Sequence, residues 1–291
     1  MSTEIYYFSG TGNSLAVARD INQKLNGELI PITSVINKKS IISPADVIGI
    51  VFPVYYEPHG GVPLIVRRFV KKLKNIQDKY IFAICTYGAV SVNALDFLDD
   101  IIQLQGGKVA AKFTVNMPSN MGKSKDINLK KQQKMLHVWE ENISLLVEQI
   151  NNHADVKWDA PNLVFGKFYS LIKSIIKPFA SSFEHPTLKK IKKYPELSKL
   201  SYEELLPHMD KTFNTNENCN GCGTCSQICP TQNIVMLNEK PSWQHKCEFC
   251  LACFHWCEKT AIQTSAMPEL AKYHNPQIKI SDMLMQTNTL K

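Results

Sequence analysis

The sequence predicts an α/β fold: a doubly wound parallel sheet of five strands, then a basic helical linker, then a small α+β module. Three observations carry this. Short β-rich runs alternate with helical patterns through the first 150 or so residues, prolines at 178, 186, 195 and 207 break up the segment that follows, and eight of the nine cysteines fall between Cys219 and Cys257. A chain of 291 residues suits two domains, at roughly 150 residues each. With 44% hydrophobic and 20% charged residues it matches ordinary globular composition, which excludes wholesale disorder and collagen-like repeats.

Strands are expected at 4–8, 28–32, 46–52, 80–86 and 108–115, which are rich in Ile, Val, Phe and Tyr. Several are continuous apolar runs, as suits strands covered on both faces. Helical patterns separate them at 14–25, 63–73 and 92–104. A further one at 127–150 sets Leu136, Trp139, Ile143, Leu146 and Ile150 on one face, at spacings of three and four. Alternation of this kind implies a parallel sheet. Residues 33–45 show no convincing helix. The boundaries read 1–153 for the sheet domain, 154–212 for the linker, 213–265 for the cysteine module and 266–291 for a polar C-terminal tail.

The net charge of +7 is uneven: residues 123–199 hold fourteen Lys against eight acidic residues. Within them Phe165, Phe168, Tyr169, Ile172, Ile175, Ile176 and Phe179 form an apolar stripe, with Lys167, Lys173 and Lys177 off it. This reads as a helix packed between domains with solvated lysines. Steering of an acidic partner and contact with an anionic membrane surface are weaker alternatives. Nucleic acid is not an expected partner, since the lysines lack a recognition motif or an aromatic platform. The longest uncharged run, 80–95, falls short of the roughly 18 to 20 residues a spanning helix needs. The N-terminal MSTEIYYFSGTGNS has neither a basic nor an apolar leader region, so the expected compartment is cytoplasmic. There, clustered cysteines point to metal or redox chemistry rather than disulfides.

The cysteines read Cys219-x2-Cys222-x2-Cys225-x3-Cys229-Pro230, then Cys247-x2-Cys250-x2-Cys253-x3-Cys257. This is the iron–sulfur run of bacterial ferredoxins, given twice. Three thiolates two residues apart wrap three irons of one cubane from a single loop, and the fourth is carried to the other cluster. Cys219, Cys222, Cys225 and Cys257 are therefore assigned to one [4Fe–4S] cluster, and Cys247, Cys250, Cys253 and Cys229 to a second. Zinc also takes four thiolates. Its sites use two separated C-x2-C pairs, however, and three evenly spaced cysteines suit one tetrahedron poorly. Residues 213–265 resemble a bacterial dicluster ferredoxin, with Glu258 where the first copy has proline. His245, His255, Trp243 and Trp256 read as packing around the module, and Cys85 as a small buried hydrophobe.

The first expected strand runs into Ser9-Gly10-Thr11-Gly12-Asn13-Ser14, and a helix follows. Backbone N–H groups and a helix N-terminus there suit a phosphate. The dinucleotide fingerprint fails because Leu15 stands where glycine is required, and the P-loop fails for want of a lysine. The loop resembles the [ST]-x-T-G-N-[ST] phosphate loop of flavodoxins. That resemblance implies FMN, its phosphate held by this loop and its ring across the carboxyl ends of the strands, at the switch point of the sheet. The ring would then meet Pro53, Val54 and Tyr55 after the third strand and Thr86, Tyr87 and Gly88 after the fourth, with Tyr55 and Tyr87 for stacking. Asn120 is a weaker candidate for closing the pocket. No catalytic acid–base pair stands out; His59, Tyr56 and Tyr87 are the nearby candidates.

The chain thus resembles flavodoxin–ferredoxin fusion proteins. The expectation is an electron-transfer protein that passes electrons between two [4Fe–4S] clusters and FMN, and on to redox proteins such as ferredoxin-dependent oxidoreductases. The alternative is an FMN-dependent reductase of a small organic acceptor such as a quinone. No nicotinamide fingerprint is visible.

Overall fold

The computed structural model describes residues 1–56, 59–89, 91, 93–123, 128–158, 188, 191 and 194–288. The apolar stripe expected at 163–179 lies outside the described residues. The chain divides into two compact units. One takes in Met1–Ser9, Asn13–Ser119 and 128–158, the other Gly10–Gly12, 120–123, 188, 191 and 194–288.

In the first unit, β1 (Thr3–Tyr7), α1 (Asn13–Leu25), β2 (Glu28–Pro31), α2 (Ile32–Val35), β3 (Ile41–Ile42), β4 (Val47–Pro53), α3 (Leu64–Val70), β5 (Leu73–Lys74), β6 (Tyr80–Tyr87), α4 (Ala94–Gln103), β7 (Val109–Asn116), α5 (Leu129–Asn151) and β8 (Val156–Trp158) follow in order. The main sheet runs β2-β1-β4-β6-β7-β8, every pair parallel. Its first five positions follow the flavodoxin-like 2-1-3-4-5 order when counted within this sheet alone.

The sheet departs from the five expected strands by one. β8 pairs with β7 from Ala111↔Val156 to Phe113↔Trp158, and three residues are too few to register as an alternating pattern. The region 33–45 holds the four-residue α2 and the two-residue β3, which pairs in parallel with β5. α1 packs with α5, and α3 packs with α4, as two helical layers over a sheet. Ile5, Phe8, Ile48, Ile50, Phe52, Phe82, Ile84 and Phe113 are almost wholly buried, which is why these strands read as continuous apolar runs rather than alternating ones. Trp139 Nε1 donates to Asp20 Oδ2 at 2.8 Å, joining α5 to α1.

The second unit holds two short antiparallel ladders: β9 (Phe213–Thr215) with β12 (Ile262–Thr264), and β10 (Ile234–Leu237) with β11 (Lys240–Trp243). Between them lie single helical turns, α7 (Thr224–Gln227) and α8 (Ala252–His255). The one-turn α6 (Tyr202–Leu205) precedes them under a Ser201–Glu204 capping box. Residues 266–291 were expected as a tail, but their described part is packed. Leu270, Ile278 and Met283 are buried, and α9 (Ile280–Asn288) is the last described element. Their polar composition hides three well-spaced apolar anchors. Among the described residues no helix is long and apolar enough to cross a membrane.

Candidate cofactor sites

The second unit brings the cysteines into two neighbourhoods. Cys225 feels the charges of Cys257, Cys222 and Cys219. With burial the larger cause, its thiol is pushed up to about 11. Cys250 is pushed up to about 12 by burial and then by Cys229. Cys247 and Cys253 are held well above the ordinary thiol range by burial, and after it chiefly by the charge of Cys250. Cys253 also feels Cys225, so the two neighbourhoods adjoin. Cys225 thus has a neighbour, Cys257, from the other motif, and Cys250 and Cys253 have one in Cys229.

Buried thiols that repel one another as thiolates are the donor set a positively charged cluster relieves, because the ligating form is the thiolate. Backbone amides supply further support. Asn233 N donates to Cys229 Sγ at 3.2 Å, Phe249 N to Cys247 Sγ at 3.2 Å and Ala261 N to Cys257 Sγ at 3.3 Å. Cys222 alone among the shifted thiols is lowered, by a hydrogen bond with Thr224, and it is the exposed one. Among the described residues no three His, Cys, Asp or Glu side chains are placed to hold a single metal ion. On this chemistry the residues fit the implied cluster.

The cysteine loops are held by a buried polar hub that sequence reasoning missed. Asp210 accepts from Asn233 Nδ2 at 2.9 Å and His245 N at 2.8 Å, and pairs with His245 Nδ1 at 2.7 Å. Asn233 Oδ1 in turn accepts from Gln244 N and Lys246 N, which fixes the approach to Cys247. The residues expected to pack do so. His255 is buried, its Nε2 bonded to the Asn120 carbonyl and its Nδ1 accepting from Tyr273 N. Trp256 stacks on His274 at 4.3 Å and donates to the Gly10 carbonyl. Trp243 stacks on Phe213.

In the first unit the loops at the carboxyl ends of β1, β4, β6 and β7 converge. Ser14 Oγ and Thr86 Oγ1 lie 2.8 Å apart, Val54 N donates to Thr86 O, Met117 N donates to Tyr87 O, and Asn13 Nδ2 donates to Pro118 O. Pro53 stands opposite Thr86 in the β4–β6 register. Ser9, Asn13, Ser14, Tyr55 and Tyr87 are all buried in this cluster. A Cβ on Gly88 would come within 2.6 Å of Ser119 Cβ, so the two loops close here only because position 88 has no side chain.

Of the remaining expected residues, Gly10, Thr11, Gly12 and Asn120 are counted with the second unit. There the Thr11 carbonyl accepts from Asn275 N at 2.8 Å. Gly12 sits at φ +95°, a left-handed conformation that side-chain-bearing residues avoid.

The donor chemistry suits a phosphate. Hydroxyls stand at Ser9 and Ser14, α1 presents its first-turn N–H groups, and no acidic residue occupies that turn. Arg67 was also missed. It is buried, its Nε donates to Val62 O at 2.9 Å and its Nη2 to His59 O, and its guanidinium lies 4.6 Å from the Phe97 ring. It fixes the turn that follows the Tyr55 loop.

Comparisons with known proteins match two stretches of the chain. A flavodoxin domain family matches residues 4–138, and a 4Fe-4S binding domain family matches residues 215–235. The search of curated proteins returns no match. Among solved structures, flavodoxin 2 from Bacillus cereus is 13% identical, covering 51% of this chain and 99% of its own, at a TM-score of 0.36. The Streptococcus pneumonia TIGR4 flavodoxin is 15% identical, covering 50% and 99%, at 0.32. Two-electron reduced Megasphaera elsdenii flavodoxin is 24% identical, covering 40% and 89%, at 0.28. The chain therefore carries a flavodoxin domain in its N-terminal half and a ferredoxin-type 4Fe-4S binding domain toward its C-terminal end: it is a flavodoxin–ferredoxin fusion.

Proposed function

We propose that this protein is a flavin/iron–sulfur electron carrier that holds two [4Fe–4S] clusters and one FMN and passes electrons between them and on to redox proteins, ferredoxin-dependent oxidoreductases among them. The observation that carries the reading is the exchange of the fourth cysteine. Cys257 belongs to the neighbourhood of Cys225, and Cys229 to that of Cys250 and Cys253. A module built for two adjoining cubanes needs that arrangement, and two independent metal sites do not.

When bound, the clusters supply one-electron transfer and the flavin supplies storage of one or two electrons. The chain's own residues set the conditions. Amides of Asn233, Phe249 and Ala261 hydrogen-bond the ligand sulfurs, and such bonds tune cluster potential. Burial around Cys229 and Cys250 lowers the local dielectric. In the flavodoxin domain Ser9, Thr11, Asn13 and Ser14 would hold the phosphate, while Tyr55 and Tyr87 would bound the ring.

Iron, sulfide and flavin quantitation on anaerobically purified protein tests the composition; about eight irons and one flavin per chain are expected. Anaerobic mixing with one reductant tests the transfer. Linked reduction of iron–sulfur and flavin absorbance is expected, and fully independent traces would reject the carrier reading.

A further inference from the structure

The first unit contains a cavity of about 380 Å³ whose lining shares only Tyr87 with the residues expected to contact a cofactor. It lies between α5 and the β7–β8 edge, lined chiefly by Phe113, Val115, Met135, Val138, Trp139 and Trp158, with Lys131 and Lys134 at one end. Its size is at the lower end for small-molecule sites. α5 connects two neighbouring parallel strands, so it runs antiparallel to them. Its N-terminal lysines therefore stand at the carboxyl end of the sheet, beside Asn116 and Tyr87, while Leu146, Phe113 and Trp158 form the far end. Lys131 to Leu146 spans about 22 Å of helix. The groove is thus elongated, cationic at one end and apolar along its length.

Among the described residues, no acidic side chain pairs with the lysines at the cationic end. The first turn of α5 carries Lys130 and Lys131 and no acidic residue, and the helix dipole is positive there. Both Lys131 and Lys134 are exposed, and among the described residues neither forms an ion pair. An anion at this end offsets both the lysines and the dipole. An aliphatic chain covers Val115, Met135, Val138 and Trp139.

We infer that this groove binds a medium-chain acyl carboxylate, head group toward Lys131 and Lys134 and chain along α5. The inference does not depend on the flavin or the clusters.

The test is titration of the full-length protein with decanoate, followed by tryptophan fluorescence and calorimetry, with decanol as the uncharged control. Saturable one-to-one binding of decanoate is expected, weakened roughly threefold to tenfold in the K131Q/K134Q double variant. Binding should be lost in V138W, which fills the groove from a position that is 37% exposed and so leaves the core intact. Absence of saturable binding would overturn the inference, and so would binding of decanol as tight as that of decanoate. Decanoate affinity unchanged in both variants would also overturn it, because the ligand would then sit elsewhere.

Discussion

Trp139 illustrates how one side chain couples packing to charge. Its indole N–H is bonded to Asp20 across α1 and α5, while burial holds the Asp20 carboxyl above its ordinary value. A carboxyl with a raised folded-state pKa weakens the fold as pH climbs from the ordinary value through the raised one. The indole bond opposes that shift. Trp139→Phe should therefore cost about 1–3 kcal/mol near neutral pH, and less at a pH low enough to protonate the carboxyl. Denaturant melts at the two pH values check this.

Arg67 acts on the flavodoxin domain in a similar way, since its guanidinium is the donor that fixes the His59 and Val62 carbonyls. Arg67→Met should cost about 2–4 kcal/mol and weaken flavin retention, read by ultrafiltration of released flavin. Neither partner was legible in the sequence. Trp139 was visible only as one position of an apolar stripe, and Arg67 reads as a charge interrupting the apolar run LIVRRFV. Hydrogen-bond partners more than a hundred residues apart, as in Trp139–Asp20 and Asn13–Pro118, leave no local pattern.

Among elements, the strands were the most legible, because strands buried on both faces must be apolar throughout. Expected 46–52 became Val47–Pro53 and expected 80–86 became Tyr80–Tyr87. Short elements stabilised by their neighbours were not legible. β8 exists through its register with β7, and α9 through buried Met283 within a polar stretch. The strand-end loops were placed by motif, yet the contact that closes two of them, Gly88 against Ser119, depends on distance alone. Gly88→Ala should push that contact apart at a cost of about 1–3 kcal/mol and broaden the flavin absorption bands. An unaltered spectrum and melting curve would show that the loop yields freely.

At the scale of the whole molecule, both cysteine motifs were legible because their spacing is local, whereas the Asp210–Asn233 hub that holds the intervening loops was not. Asn233→Ala should leave the Asp210 carboxylate short of a buried donor at about 2–3 kcal/mol. The loss should appear as faster iron release to a chelator, with flavin content unchanged.

The traded cysteines also bear on when metal can be inserted. On the proposed ligand assignment, a nascent chain that has emerged through residue 235 offers one complete quartet of cysteines, but only three of them belong together, and the fourth thiol of that set is Cys257, still inside the ribosome. Loading of that set must wait until Cys257 has emerged and both loops have met. On that assignment, a stop anywhere upstream of Cys253 would yield a polypeptide unable to complete either inorganic core.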